Sequence, residues 1–166
     1  MTDQSPQTTE IPTAVFVSSL VTILDELFSS EDAQDNYVLD KGTSMFSTLA
    51  TIDAATASKQ YSPRCSNLAA QVNHTRFYLD TVMDGMRNGW QQVDWDASWQ
   101  IGDVTAAEWQ ELIARLQSTY TELRTFAASN TSWSPPMVGG AFAIVAHNAY
   151  HLGEIRQALA ILQIPE

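Results

Sequence analysis

With 166 residues the chain has the length of one domain with a sizeable core, and it does not need a second. Hydrophobic residues make up 45% and charged residues 16%, with a net charge of -11; eight scattered Lys and Arg cannot hold a phosphate backbone, so a nucleic-acid partner is excluded. The same acidity opposes an anionic membrane surface, and no apolar run reaches the ~20 residues of a spanning helix, so no membrane partner is expected.

Residues 1–12 are polar and lack an apolar segment flanked by positive charge, so they read as a disordered tail and not a secretory signal, with residues 13–166 forming a single domain. The sole cysteine, Cys65, excludes an internal disulfide and suits a cytoplasmic location. Lying near a helix start, it reads as a partly buried structural thiol.

A first helix is expected over Thr13–Ser29, where Val15, Leu20, Ile23, Leu24, Leu27 and Phe28 supply an apolar stripe. The acidic run Glu31-Asp32-Ala33-Gln34-Asp35 reads as a solvated loop. A shorter helical piece spans Ser44 to Thr51, followed by a loop through Ser62-Pro63. The second long helix is expected from Pro63, tolerated in a first turn, to Asn88-Gly89, with Leu68, Val72, Leu79, Val82 and Met86 inward. Trp90 to Gly102 is then a loop holding three of the five tryptophans. Thr105 is a candidate N-cap with Glu108 as capping-box partner, opening a third long helix that buries Trp109, Leu112, Leu116 and Leu123 and ends near Ala128. Pro135-Pro136 argues against regular helix there, so the last helix is drawn from Val138 to Leu162. No strand-like alternation competes with this pattern. The expected class is all-α, an antiparallel four-helix bundle with long inter-helix loops.

The histidines give this scaffold a possible chemistry. His147 and His151 are four apart in His147-Asn148-Ala149-Tyr150-His151, so they sit about 40° apart around a helix and roughly 6 Å apart along it, close enough to share an ion. His74, on the second long helix, is the one histidine left to add a third ligand and leave a coordination position open. On the wheel His74 groups with Asn67, Gln71, Tyr78 and Thr81, and Glu154 lies one turn beyond His151 on the ligand arc. Tyr78 and Glu154 are the candidates for proton transfer beside the ion. Tyr78 also reads as an ordinary buried tyrosine, and Glu154 as a further ligand, a support for an imidazole, or a solvated glutamate. His-Glu-x-x-His chemistry is excluded because Asn148 stands where its glutamate would be. Glu-x-x-His is excluded too, since Gln71, Ile144 and Asn148 precede the histidines by three, which leaves one mononuclear ion. Arg76 and Arg156 fall on the far sides of their helices, so neither anchors an anionic substrate. Asp94, Trp95 and Trp99 read either as a lid or, better, as residues pinning the loop to the helices. The final helix has little polar surface and suits a central place or a subunit contact.

At these residues the chain resembles the DinB/YfiT superfamily of small helical metalloproteins. The likeness is carried by Asn67-Leu68-Ala69-Ala70-Gln71-Val72-Asn73-His74 and by Ala146-His147-Asn148-Ala149-Tyr150-His151-Leu152-Gly153-Glu154-Ile155-Arg156, and covers residues from about 13 to 162. The loop Val93-Asp94-Trp95-Asp96-Ala97-Ser98-Trp99 is similar to one DinB-like subgroup. The resemblance implies a three-histidine site for zinc or nickel, a homodimer, and either thiol-transferase or isomerase activity with a low-molecular-weight thiol or no assigned reaction. Three readings follow: a metal-dependent thiol transferase or hydrolase acting on a small-molecule substrate, a non-catalytic metal or small-ligand binding protein, and a dimeric scaffold with a vestigial site.

Overall fold

A computed structural model describes residues 10–29 and 36–163. Most of the expected tail and the Glu31–Asp35 loop lie outside the described residues. Among the described residues six helices run in the order α1 (Thr13–Phe28), α2 (Met45–Leu49), α3 (Ala54–Ser58), α4 (Leu68–Asn88), α5 (Ala106–Ser129) and α6 (Pro135–Leu162), with a 3₁₀ turn at Asp96–Trp99 between α4 and α5. There is no strand among the described residues, and no described helix is long and apolar enough to cross a membrane.

Local chemistry moves several expected boundaries. α4 starts at Leu68 and not at Pro63, because the Asn67 side chain accepts the Ala70 N–H at 2.8 Å and caps the helix there. α6 includes Pro135 and Pro136, expected to lie outside it. They occupy its first two positions, where the amide hydrogens that proline lacks would have no helical partner. α3 lies in a stretch read as loop. Asp53 caps it by accepting the Thr56 N–H at 2.7 Å, but five residues are too few to display a helical period. The expected capping box at Thr105 is present, with Thr105 and Glu108 each accepting the other's backbone N–H.

α1 and α4 each pack against both α5 and α6, and the short α3 wedges against α4 and α5. Leu24, Phe28, Leu68, Val72, Leu79, Trp109, Leu116, Ile144 and Ile155 are buried between them, and the Trp109 indole N–H donates to the Ile52 carbonyl at 2.7 Å. α6 approaches α4 at Gly140, where an added Cβ would fall 2.4 Å from Met86 Cε. The ring of Trp90 lies against Gly85 of α4, at the start of the loop that follows this helix. Between α1 and α5, Arg124 donates to both carboxylate oxygens of Asp25 at 2.7 and 3.0 Å, and Tyr120 donates to the same group. Val15, expected inside, is half-exposed.

One buried carboxylate was not legible in the apolar pattern. Glu26, 3% exposed on α1, accepts the backbone N–H groups of Tyr37, Val38 and Leu39 at 2.9, 2.7 and 2.6 Å, fixing the path of the chain after α1. Charge-assisted bonds of this kind are each stronger than neutral ones, and losing the acceptor strands its donors. Glu26→Ala is expected to lower unfolding free energy by about 2–4 kcal/mol in denaturant titration, and Glu26→Gln, which keeps a side-chain acceptor, by less.

Candidate metal centre

The contact between α4 and α6 brings the three histidines together: their ligating nitrogens lie within 4.8 Å of one another. Ring centroids are 5.3 Å apart for His74 and His147, 4.9 Å for His74 and His151, and 4.4 Å for His147 and His151. His74 and His151 are buried, and His147 is partly so.

Hydrogen bonds fix which nitrogen of each buried ring carries its proton. Ser98 Oγ has one hydrogen and donates it to the Trp95 carbonyl at 2.6 Å, so at 2.7 Å from His74 it accepts from Nδ1–H. That leaves His74 Nε2 with its lone pair. His151 Nδ1 faces two oxygens at 2.9 Å each, Gln71 Oε1 and Glu154 Oε2, and donates to them, which leaves its Nε2 equally free. This arrangement, an imidazole whose outer N–H is held by an oxygen, is the one that orients histidine for a metal. His147 Nε2 is buried and has no hydrogen-bond partner among the described residues. A buried nitrogen in that state costs free energy unless something binds it, and a cation beside two other imidazoles satisfies it.

The electrostatics agree with ligand duty. Burial, with the nearby His151, lowers the His74 pKa to about 4; burial, with His151 and His74, does the same for His147. Burial also lowers His151, against the pull of Glu154. All three rings are therefore neutral at pH 7, the form that ligates.

Aromatic rings wall the cluster. Trp99 stacks on His74 with centroids 3.9 Å apart and planes 17° apart, and Tyr78 stacks on His147 at 3.5 Å and 13°. Trp95, 41% exposed, sets its ring near His74, Phe77 and Tyr78. Its neighbour Asp94 accepts the N–H groups of Asp96 and Ala97 and shapes the 3₁₀ turn. Tyr78 therefore meets the site through its ring face, and burial raises its pKa. Glu154 is half-buried with both oxygens engaged, Oε1 accepting from Tyr150 at 2.6 Å and Oε2 from His151 and from Gln71 Nε2 at 3.3 Å. Arg76 spends its guanidinium on Asp80 at 2.5 Å. Cys65 lies in the loop before α4, and a hydrogen bond with its thiol, together with burial, pushes the neighbouring Tyr61 phenol up to about 12.

Gln71, Ser98 and Tyr150 complete the site but were given no role from sequence. Gln71 carried a signal, one turn before His74 on the same arc. Ser98 carried none, because only the folded loop brings it to a ring 24 residues away.

Comparison with models of protein families, with curated proteins and with solved structures finds no match to this chain.

The buried histidines make metal-free stability depend on pH. In the unfolded chain imidazole takes up a proton near 6.5, whereas His74 and His147 in the folded chain do so only near 4. Between those values the unfolded state binds more protons, so the stability these groups contribute is complete above pH 6.5 and lost as pH falls through 4. Chelator-treated protein is expected to unfold at progressively lower denaturant concentration across this window, and a His74→Gln/His147→Gln variant to show a visibly flatter dependence.

Proposed function

We propose that this chain is an antiparallel four-helix bundle of the DinB/YfiT type in which His74, His147 and His151 hold one divalent ion, and that it is a metal-dependent thiol transferase or hydrolase. The observation that carries the reading is the disposition of the nitrogens. Two rings have their Nδ1–H groups committed to oxygen acceptors, and the third has a buried Nε2 without a partner among the described residues. Imidazole ligands suit zinc and nickel, and three of them leave a position open. Bound between three neutral ligands, such an ion supplies Lewis acidity and acidifies a thiol or water that it takes up.

The chain's own side chains have distinct parts in this reading. Glu154 and Gln71 hold the His151 ring, and Ser98 holds His74. Tyr78, a phenol protonated at neutral pH whose pKa burial raises further, acts as a proton or hydrogen-bond donor and not as a base. Trp95 and Trp99 exclude water and offer aromatic surface to a small organic substrate carrying an electrophilic centre. A low-molecular-weight thiol is the proposed co-substrate of the transferase. Because Arg76 is tied to Asp80, recognition of an anionic group on that thiol does not fall to it.

Elemental analysis of untagged full-length protein tests the centre: about one zinc or nickel per chain is expected, against none in the His74→Ala/His147→Ala/His151→Ala variant. Equal metal content in the two would overturn the site. Ser98→Ala and Gln71→Leu are expected to weaken metal binding by about 10–100-fold in competition with a chromogenic chelator, with helix content unchanged. Thiol-dependent consumption of an electrophile, abolished by chelator and by His147→Ala, is the expected activity. Stoichiometric metal that raises the melting temperature, without turnover across a panel of electrophiles and esters, would return the centre to non-catalytic binding.

A further inference from the structure

The histidine centre is largely closed to solvent. His74 and His151 are 6% and 3% exposed, and His147 Nε2 is buried. An ion, or a thiol bound for it, reaches these nitrogens only when part of the wall moves. One wall is the packed pair α4 and α6, and parting these helices would bring Leu79, Ile144 and Leu152, each at most 1% exposed, into water. The other wall is the chain that connects α4 to α5.

That connection is fastened at its ends and thinly in between. At its start the ring of Trp90 lies against Gly85. Near its end the Gly102 carbonyl accepts from Asn67 Nδ2 at 3.0 Å, and the Val104 N–H donates to Ser58 Oγ at 2.9 Å. Of residues 89–105 only Ser98 is buried. Among the described residues, the hydrogen bonds that tie 91–101 to the helices both end there: Asn73 Nδ2 donates to the Ser98 carbonyl at 2.7 Å, and His74 Nδ1–H to its Oγ at 2.7 Å. The amides of Ser98, Gln100 and Ile101 bond within the stretch, to the Trp95, Ala97 and Trp99 carbonyls, so it holds its own shape. Its two indoles lie over the centre, Trp99 on His74 and Trp95 beside His74 and Tyr78. A turn held by one buried residue opens at far lower cost than a close-packed helix pair.

We propose that residues 91–101 are a gate over the histidine centre, hinged at the anchored Trp90 and Gly102 and latched at Ser98 by Asn73 and His74. The proposal rests on the three-histidine reading of the site. Closed, the gate keeps the Trp99 ring on His74 and bulk water away; open, it carries Ser98, Trp95 and Trp99 off together. The two latch bonds differ in what they control. The His74 bond also sets which ring nitrogen is free, so breaking it alters affinity as well as access. The Asn73 bond touches no ligand ring. Its loss makes the open form more frequent whether or not an ion is bound, so uptake and release quicken by one factor and their ratio stays fixed.

Zinc is the probe. Uptake by chelator-treated full-length protein and release into excess chromogenic chelator are followed by stopped flow, and the dissociation constant by competition. One hydrogen bond of ordinary strength changes an equilibrium about 5-fold, so Asn73→Ala is expected to speed uptake and release by about that factor, with the dissociation constant and helical circular dichroism unchanged. Asn73 Oδ1 also accepts from Arg76 at 3.5 Å. Asn73→Asp keeps that acceptor and loses the donor to Ser98, and is expected to behave as Asn73→Ala does. Rates unchanged in both variants, or a release rate that rises alone with a weakened dissociation constant, would overturn the gate and leave the centre standing. Unaltered protein that takes up no zinc would overturn the centre, and the gate with it.

Discussion

The candidate site rests on how closely α4 and α6 approach. Gly140 lies against the tip of Met86, whose Cε is 2.4 Å from where a Cβ would be. Two turns along α6 from that contact the separation is still small enough for one imidazole of α4 and two of α6 to share a volume in which their nitrogens lie within 4.8 Å. A methyl group at position 140 would make the flexible end of Met86 turn aside from the core stripe that it shares with Val82. The ring geometry is thus a consequence of packing, with the polar groups added to it.

Those polar groups divide the labour unequally. His74 is tethered to a loop, through a serine hydroxyl whose own hydrogen is fixed by the Trp95 carbonyl. His151 is tethered to both helices at once, since Gln71 comes from α4 and Glu154 from α6. His147 is held on its face by the Tyr78 ring, and its buried nitrogen is unpaired among the described residues. An arrangement made only for stability would be expected to pair that nitrogen, because an unsatisfied buried acceptor or donor destabilises the fold that contains it. Local cost retained inside a close-packed region points to binding.

Much of this was legible in the sequence, and what was not has identifiable causes. The long helices followed from apolar spacing, and the capping box at Thr105 from residue types alone. Helix starts are where local signals compete: Pro63 suits a first turn but Asn67 is the working cap, and Pro135-Pro136, which would break a helix interior, are accepted in a first turn. Convergence of the three histidines could be inferred from their faces, but their supports could be inferred only in part. Gln71 and Glu154 are helical neighbours of the ligands and lie on readable arcs. Ser98 and Trp99 reach His74 through a 3₁₀ turn whose path no periodicity encodes. Glu26 shows the same limit in the core, since a carboxylate among apolar residues is explained only by three amides arriving from more than ten residues away.

Tyr150 joins the two parts of the molecule that the sequence left separate. Its ring is 60% exposed at the middle of the uncharged outer side of α6, while its hydroxyl donates to Glu154, whose other oxygen accepts from the His151 ring. The hydrogen bond to Glu154, and then its charge, raise the phenol's pKa, and the hydroxyl, protonated at neutral pH in any case, stays the donor in this bond. Two hydrogen bonds therefore separate the outer face of α6 from a candidate ligand nitrogen. Covering that face would remove water from around the Tyr150–Glu154 bond and strengthen it, since a hydrogen bond to a carboxylate gains as the surrounding dielectric falls. The result would be a more firmly held His151.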